Sequence, residues 1–401
     1  MTWKENSLDE LGFVGRGKSR HRPRNAEFLY GGPHPFIQTS EIKHADLYVT
    51  SYSQTYSDAG LSQSKLWPAG TLCIAIAANI AETAILGLDA CFPDSVIGFI
   101  ADNAKSDARF IKYKLDTIKS HYRQVSQGAA QDNLSLEKLL SFKLKVPSAD
   151  EQRQIADVLS AYDESIENNG RRMELMEKAA RLLYQEWFVR LRFPGHEHTR
   201  ITKGIPQGWE RKPLAELCKS VDYGYTASAD KEVVGPKFLR ITDIVPDHID
   251  WATVPHCPIE EERLEKFRLR EGDIVIARTG ATVGYAKRLH KRHPDAVFAS
   301  YLVRLRLKPE VNNLMVGVFV ESAEYKNYIQ SRVGGAAQPN ANAKVLAGAE
   351  ILVPPPRIQR DFNEIAEPLI DQREILEIQN QKLRAARDLL LPRLMSGEIA
   401  V

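Results

Sequence analysis

Residues 12–19, GFVGRGKS, have the glycine, lysine and serine spacing of a loop that binds the phosphates of a nucleotide. Such a loop functions between a buried strand and the start of a helix, whose backbone amides face the phosphates. Here the preceding MTWKENSLDEL contains no apolar strand, and the following RHRPRNAE combines dense charge with a proline that disfavours a helix. The pattern therefore favours a turn at Gly17, with Lys18 contacting a DNA phosphate, over an NTPase that uses Lys18.

The same stretch begins a cluster of cations without acidic residues, and a second cluster, AKRLHKRH, follows in the other half of the chain. Arginine and lysine bind phosphates and guanine, whereas glutamine and asparagine pair with adenine. We predict DNA contacts by both clusters, with a solvated basic surface as the alternative. Their members are Arg16, Lys18, Arg20, Arg22, Arg24, Lys287, Arg288, Lys291 and Arg292. Further predicted contacts in loops and at strand ends are Gln38, Gln54, Tyr56, Tyr225, Arg240, Arg278 and Thr279.

Catalytic and metal-binding patterns are missing from the sequence. The ten histidines form no HxxxH or HExxH pair, and the four cysteines form no CxxC pair. VPPPR, at 353–357, does not match the Asn/Asp-Pro-Pro-Tyr/Phe tetrad of adenine methyltransferases. We therefore expect no catalytic residue, no metal and no cofactor. The N-terminus has no apolar leader, and the longest apolar run contains Glu82, so we expect a cytoplasmic protein with buried, reduced cysteines and no membrane contact.

Short segments of the chain occur twice, in the same order. GAAQ at 128–131 returns at 335–338, a spacing of 207 residues. Other pairs recur at similar spacings: VP (146 and 353), QR (152 and 359), PAGTLCIAIA with REGDIVIART, and FIQTSEI with FLRITDI. One unit of roughly 200 residues is therefore present in two copies. The side chains of Gln131 and Gln338 can pair with adenine, but residues common to both copies cannot give them different specificities. We therefore interpret GAAQ as a shared turn.

After each VP the short apolar runs give way to a leucine-rich pattern with steps of four and three, which predicts a long helix. In the first copy the predicted packing residues are Ile155, Leu159, Tyr162, Ile166, Asn169, Met173, Met176, Leu183 and Trp187. In the second they are Phe362, Leu369, Leu376, Leu383 and Leu390. The second pattern is weaker because Arg373, Asn380 and Arg387 form a polar row beside it. We expect Pro368 to lie near the start of the second helix or to kink it, and Pro392 to end it.

A helix of about 40 residues is about 60 Å long, too long for one small domain to cover. It therefore needs a second helix to pack against, and the other copy supplies one. With 401 residues and 43% hydrophobic content, the chain is long enough for two or more cores. We predict an α+β fold in which two similar mixed α/β domains are separated by two long antiparallel α-helices, a coiled-coil spacer, with a pseudo-twofold internal repeat. The predicted segments are a first domain (1–147), a first helix (148–192), a linker (193–204), a second domain (205–354), and a second helix with a C-terminal tail (355–401).

Several motifs in this order resemble one known family: IPQGWE (205–210), EGDIVIARTGATVG (271–284), the GAAQ loops, VPSADEQRQIADVLSAYDESIE (146–167), LLYQEWFV (182–189) and LRAARDLLLPRLMSGEI (383–399). They are similar to the specificity (S) subunit of type I restriction-modification systems, over essentially the whole chain. The first copy departs from the family in lacking the IPQG lead-in.

The resemblance implies a DNA-binding subunit without catalytic activity. Each of two target-recognition domains would read one half of a bipartite target in double-stranded DNA. The helices would hold the domains apart and bind two methyltransferase (M) subunits, to which restriction (R) subunits are added. The net charge of +2 requires the DNA site to come from locally clustered charge. A duplicated helical scaffold that binds proteins is the alternative from another class.

Overall fold

The computed structural model describes residues 3–20, 23, 25–77, 81–119, 135–246, 248–333 and 339–401. The chain divides into two compact units. Unit 1 comprises residues 1–171 and 376–401, and unit 2 comprises residues 172–375. Each unit combines small sheets and short helices with one segment of each of two long helices, which confirms the predicted α+β class.

Unit 1 is built from short strands and helices that precede the first long helix. Its strands are β1 (Lys4–Asn6), β2 (Gly12–Arg16), β3 (Tyr30–Phe36), β4 (Tyr48–Val49), β5 (Gln54–Tyr56), β6 (Leu66–Trp67), β7 (Leu72–Ala75), β8 (Thr83–Leu86), β9 (Ala90–Cys91), β10 (Val96–Ala101) and β11 (Leu144–Val146). Its helices are α1 (Leu8–Leu11), α2 (Thr39–His44), α3 (Asp58–Ser62), α4 (Ala108–Thr117), α5 (Leu136–Ser141) and the start of α6 (Ala149–Tyr184), with a 3-10 turn at Glu27–Leu29.

Unit 2 repeats this plan. Its strands are β12 (Ile201–Thr202), β13 (Ile205–Pro206), β14 (Glu210–Pro213), β15 (Cys218–Tyr223), β16 (Lys237–Leu239), β17 (Ile274–Ala277), β18 (Ala286–Arg288), β19 (Ala296–Phe298), β20 (Leu302–Leu307) and β21 (Glu350–Val353). Its helices are α7 (Leu214–Leu217), α8 (Ile241–Ile244), α9 (Glu261–Phe267), α10 (Asn313–Glu321), α11 (Ala323–Val333), α12 (Ala343–Leu346) and the start of α13 (Pro356–Ser396). A π-helical turn, Gln185–Val189, and a 3-10 turn, His196–His198, follow α6.

The main sheet and two strand pairs of unit 1 recur in unit 2. In unit 1 the strand order β2-β10-β7-β8 matches β15-β20-β17-β18 in unit 2, and β4 extends the first of these sheets. The parallel pair β3–β9 aligns Phe36 with Cys91, and the parallel pair β16–β19 aligns Phe238 with Val297. Antiparallel β1–β11 likewise corresponds to β14–β21. The same registers recur, so the duplication read from the sequence is a duplication of structure.

Each unit has its own hydrophobic core. In unit 1, β7 (LCIA) is buried at every position, because the sheet is covered on both faces. Phe99 and Phe110 are completely buried in the same core, and in unit 2 the equivalent strand β17 (IVIA) is buried in the same way. Each such side chain stabilises the fold by about 1.5–3 kcal/mol relative to exposure. All four cysteines are buried with free thiols, as expected.

Within unit 1 the two long helices pack antiparallel through polar as well as apolar side chains. The Asn169 side-chain amide donates to Asn380 Oδ1 at 2.9 Å, and the Asn380 amide donates to the carbonyl of Ile166 at 3.1 Å. Asp163, which is 1% exposed, pairs with Arg387 of the other helix. The polar row in α13 is therefore part of the seam, since its side chains have partners on α6.

Within unit 2 the helix segments pack through a more aromatic seam. Trp187 meets Phe362 edge-to-face at 6.0 Å, and Arg373 lies 3.6 Å from Glu177. Of the predicted packing residues on the two helices, those that are buried are Ile155, Leu159, Ile166, Asn169, Trp187, Phe362 and Leu376. The remainder are partly buried: Tyr162, Met173, Met176, Leu183, Leu369, Leu383 and Leu390.

One expectation about α13 was wrong. Pro392 does not end the helix, which continues to Ser396. Leu394 and Met395, both 2% exposed, belong to the core of unit 1. Burial of these two side chains, worth more than the hydrogen bond that proline removes, keeps the last turn helical. Pro368 lies inside the helix, and Pro356 occupies its first position, where proline is well tolerated.

Candidate nucleic-acid interface

In unit 1 the chain leaves β2 through a tight contact with the loop before β10. The amide of Gly17 donates to the carbonyl of Val96 at 2.8 Å, and the amide of Lys18 donates to that of Phe92 at 3.1 Å. A Cβ at Gly17 would lie 2.2 Å from the carbonyl oxygen of Pro93, so only glycine fits. After β7, the amide of Ile76 donates to the carbonyl of Ser95 at 2.9 Å.

Unit 2 contains the same three backbone contacts at the equivalent positions. Gly224 donates to Leu302 at 3.3 Å, Tyr225 to Phe298 at 2.8 Å, and Arg278 to Tyr301 at 3.0 Å. A Cβ at Gly224 would again lie 2.2 Å from a backbone oxygen, that of Ala299. Both units therefore hold the ends of two strands in one common backbone arrangement.

We name the side chains that project from this arrangement the frame residues. They are Arg16, Lys18, Ile76 and Ser95 in unit 1, and Tyr223, Tyr225, Arg278 and Tyr301 in unit 2, in equivalent order. Unit 1 presents two exposed cations, and Ile76 is buried at 3% exposure. Unit 2 presents aromatic rings, with Tyr301 62% exposed, together with one arginine. The backbone is shared, and the chemistry presented on it differs at every position.

Arg278 is held in place by its surroundings. Its guanidinium carbon lies 4.7 Å from the centroid of the Tyr223 ring, a cation–π distance. The Tyr223 hydroxyl accepts a hydrogen bond from the amide of Ala343 at 3.0 Å, which fixes the ring. The Nε atom of Arg278 is buried and has no hydrogen-bond partner within the described ranges. The side chain is thus oriented by stacking on Tyr223.

The loop after β17 is joined to the segment that follows the second GAAQ motif. The amide of Gly280 donates to the carbonyl of Pro339 at 2.9 Å, and Ala341 donates to the carbonyl of Arg278 at 2.8 Å. Thr279 forms an isolated antiparallel bridge with Asn340. Gln131 and Gln338 lie outside the described residues, so the interpretation of GAAQ as a shared turn stays a prediction. Its C-terminal flank lies directly beside the frame of unit 2.

Residues 1–177 and 206–385 match the model of the family described as type I restriction modification DNA specificity domain. The chain belongs to this family. It is 24% identical to the type I restriction enzyme MjaIX specificity subunit of Methanocaldococcus jannaschii, over 100% of this chain and 94% of that protein. It is 19% identical to the HindI specificity subunit of Haemophilus influenzae, over 68% of this chain and 72% of that protein.

The fold is similar to the crystal structure of the type I restriction-modification system S subunit from M. genitalium. The TM-score is 0.66 at 15% identity, covering 98% of this chain and 96% of that chain. The resemblance to specificity subunits drawn from the sequence is therefore confirmed, with a DNA specificity domain in each half of the chain.

The first basic cluster of the DNA specificity domain in unit 1 lies along and beyond β2. Arg16, Lys18 and Arg20 are exposed, and the Arg16 Nε donates to the carbonyl of Asp94. Arg22 and Arg24 lie outside the described residues. In the ranges that the structure covers, no helix follows Gly17 directly, so GFVGRGKS is a strand followed by an irregular segment. The geometry of a phosphate-binding loop is not formed there.

The second basic cluster, predicted to contact DNA, is mostly turned towards protein. Lys287 lies 3.5 Å from Glu321, and Arg288 donates to Asn313 at 2.8 Å. Lys291 pairs with Asp371 of α13 at 2.7 Å. Burial lowers the pKa of Arg288.

Lys287 and Arg288 were predicted to contact DNA, but acidic and amide side chains from α10 meet them inside the unit, which argues against that role. The ion pair of Lys291 likewise argues against a DNA contact. Arg292 is exposed and remains a predicted contact.

Tyr56, another predicted DNA contact, lies in the interior of unit 1. It is 1% exposed and stacks on Phe36 at 4.3 Å, and burial raises the pKa of its hydroxyl. Gln54 is exposed and accepts a hydrogen bond from the Gln38 amide at 2.9 Å, so these two form a polar pair at the surface. Gln54 and Tyr56 are two residues apart on β5 and share a face, so strand alternation does not separate them; the rings of Phe36 and Tyr30 cover Tyr56.

Two further predicted residues lie in the second domain. Arg240 precedes α8 and pairs with Asp243 at 2.8 Å, and the hydrogen bond that it donates to Asp243 raises the pKa of its guanidinium. Tyr225 is half-buried, with its ring 5.1 Å from that of Phe267 and the Arg263 guanidinium 5.3 Å away. Arg240 has a protein partner, and Tyr225 belongs to the frame.

Sequence reasoning missed two groups of residues at this surface. Tyr223 and Tyr301 were not predicted, although the repeat aligns Tyr223 with Arg16. In unit 1, Phe13 is 53% exposed, and Lys65 Nζ lies 4.6 Å from its ring and 3.8 Å from that of Trp67. The sequence contains no signal that places Lys65 beside Phe13, because only the packing of the folded sheets brings the two side chains together.

No group of histidine, cysteine, aspartate or glutamate side chains that could hold a metal ion occurs in the described part of the chain. None of the helices described is long and apolar enough to cross a membrane.

Proposed function

We propose that this chain is the DNA-recognition subunit of a type I restriction-modification system, and that each unit reads one half of a bipartite target. The observation that carries the proposal is the common backbone frame with different side chains in the two units. A protein that reads two unlike half-sites needs one scaffold placed twice and two different sets of contacts. In this proposal, residues 1–147 and 205–354 are the target-recognition domains, 148–192 and 355–401 are the helical regions, and 193–204 is a linker.

The side chains of the frame suit DNA. Exposed cations such as Arg16 and Lys18 neutralise phosphates, and the release of counterions then supplies affinity that falls with salt. Arginine and tyrosine side chains donate hydrogen bonds to base edges and phosphates. The family of DNA specificity domains and the named relatives support the same assignment.

We further propose that the helical regions bind two methyltransferase subunits, through which restriction subunits join the complex. Leu182 on α6 is 47% exposed, and Leu389 on α13, at the equivalent position of the second copy, is 66% exposed. Leu175, 65% exposed, lies on the same face of α6 as Leu182. A leucine exposed at the same place in both copies suits a partner that binds once to each helical region.

We also propose that the chain itself has no catalytic activity, so that methylation and cleavage come from its partners. The strand in GFVGRGKS, followed by an irregular segment, supports this proposal against an NTPase. The test is specific: replacing Lys18 with alanine should leave nucleotide affinity unchanged, because the wild-type chain has none. Measurable ATP binding that is lost in Lys18→Ala would overturn this part.

The main experiment is a binding selection from random duplex DNA, with the full chain and the methyltransferase subunit of its own system. Enrichment of one bipartite sequence, with affinity that falls as salt increases, is the expected result. If the complex assembles but enriches no sequence, the chain is a protein-binding scaffold instead.

A further inference from the structure

The structure points to one residue of unit 2 for base discrimination. We infer that Arg278 reads a guanine in the major groove of the half-site bound by unit 2. This inference rests on the proposed function and assigns chemistry to one position of the frame.

The first step is the orientation of the side chain. The Arg278 guanidinium stacks on Tyr223, whose hydroxyl is fixed by the amide of Ala343. The backbone of Arg278 is held on both sides, since its amide donates to Tyr301 and its carbonyl accepts from Ala341. An arginine that is held in one orientation before binding loses less side-chain entropy when it forms two hydrogen bonds to one base.

The second step is the hydrogen-bonding capacity that remains. Guanidinium is a planar fork of donors without acceptors, which matches the two acceptors, O6 and N7, on the major-groove edge of guanine. Within the described ranges the Nε of Arg278 has no acceptor, although it is shielded from water. By contrast, Arg240 and Arg306 in the same unit form ion pairs with Asp243 and Asp273. Among the described residues no acidic side chain forms such an ion pair with Arg278, so its terminal amino groups are the donors that would meet the base.

The third step separates a base contact from a phosphate contact. Phosphates are the same in both half-sites, so positions that contact them are expected to keep a polar side chain in both copies, as Arg16 and Lys18 do opposite Tyr223 and Tyr225. The position of Arg278 is occupied in unit 1 by Ile76, which is 3% exposed and belongs to the core. A cation present in one copy and replaced by a buried apolar residue in the other is the pattern expected for reading one base.

The test compares Arg278→Ala, Arg278→Lys and Arg278→Gln in the full chain, bound to its methyltransferase subunit, by selection from random duplexes. We expect the wild type to prefer guanine at one position of one half-site, and Arg278→Ala to lower that preference about ten- to a hundredfold. Arg278→Lys keeps the charge but not the fork, so it should retain affinity and lose discrimination. Arg278→Gln should shift the preference towards adenine.

The matched control is Arg270→Ala, at the other end of β17, where the exposed guanidinium pairs with Glu265 at 3.1 Å. It should leave every base preference unchanged. Unchanged preferences at the other positions of the half-site bound by unit 2 show that this unit is folded in each variant.

If Arg278→Ala weakens binding equally for all sequences, or changes nothing, the guanine assignment is overturned while the proposed function stands. If the wild-type complex selects no bipartite sequence at all, the proposed function itself fails.

Discussion

Asn169 of the first long helix donates a hydrogen bond to Asn380 of the second at 2.9 Å, and the two residues are 8% and 1% exposed. A buried amide pair between helices is satisfied in only one register, because a shift along the helix leaves both amides without partners. The pair therefore restricts how the two helices pack in unit 1.

Replacing Asn169 with alanine is expected to destabilise unit 1 by about 1–3 kcal/mol, because the buried amide of Asn380 loses its partner. The double variant Asn169→Leu/Asn380→Leu should recover that stability, since no polar group is left unpaired. Hydrogen exchange of peptides from α6, followed by mass spectrometry, measures the effect. The exposed neighbour Asn168→Ala is the control, and an equal effect there would contradict the role assigned to the pair.

Removing a frame cation should change how binding depends on salt. Arg16→Ala and Lys18→Ala are each expected to reduce the slope of log affinity against log salt by about one. Titration of the selected duplex at several salt concentrations measures this slope. Lys291→Ala is the matched control, because Lys291 pairs with Asp371, and its slope should equal that of the wild type. A larger change for Lys291 than for Arg16 would reverse the assignment.

Exchanging residues 205–354 for the second domain of another family member is expected to change one half of the recognised sequence and leave the other intact. The physical reason is that each unit has its own core and its own frame. The reciprocal exchange of residues 1–147 should change the other half. Sequencing of selected duplexes gives the result, and a change in both halves after one exchange would disprove modular reading.

Replacing either exposed leucine, Leu182 or Leu389, with a charged residue should weaken binding of the methyltransferase subunit. Leu182→Asp or Leu389→Asp is expected to yield complexes with one fewer methyltransferase subunit, because a carboxylate in an apolar interface must be desolvated. Mass measurement by light scattering distinguishes the complexes. Ser165→Asp adds the same charge at another exposed position of α6 and should leave the mass unchanged. Wild-type mass in both leucine variants would show that the partner binds elsewhere.

The stability of unit 2 should depend on pH through Asp222, which lies in β15 next to the frame residue Tyr223. Burial alone would raise its pKa, but hydrogen bonds from Arg304 and Ser220 outweigh that effect and lower it below 3.8. Because the pKa of Asp222 is lower in the folded state, its carboxylate stabilises the fold at pH values above the unfolded-state pKa. This contribution is lost as the pH falls through the folded-state pKa. Thermal unfolding between about pH 3 and 7 should therefore show a flatter acid loss in Asp222→Asn than in wild type. Identical profiles would exclude a contribution from Asp222.

The two basic clusters, one in each copy of the repeat, illustrate how far sequence reasoning reaches. Arg16 and Lys18 were predicted from charge clustering and are exposed, while Lys287 and Arg288 satisfied the same criterion and pair inside the unit. Charge along a sequence does not reveal the acidic residues that approach from elsewhere. Glu321 lies on α10 and Asp371 on α13, both far from β18 along the chain.

The sequence by itself determined the duplication, the α+β class, the two long helices and the family, because repeated segments and heptad spacing are local patterns. It also located Arg278 at the end of a buried strand. Only the tertiary structure decided that Tyr223 stacks on Arg278, that Tyr56 is buried, and that Asn380 completes the contact of Asn169. Each of these depends on backbone segments brought together by sheet pairing or helix packing, and no spacing along the chain encodes that proximity directly.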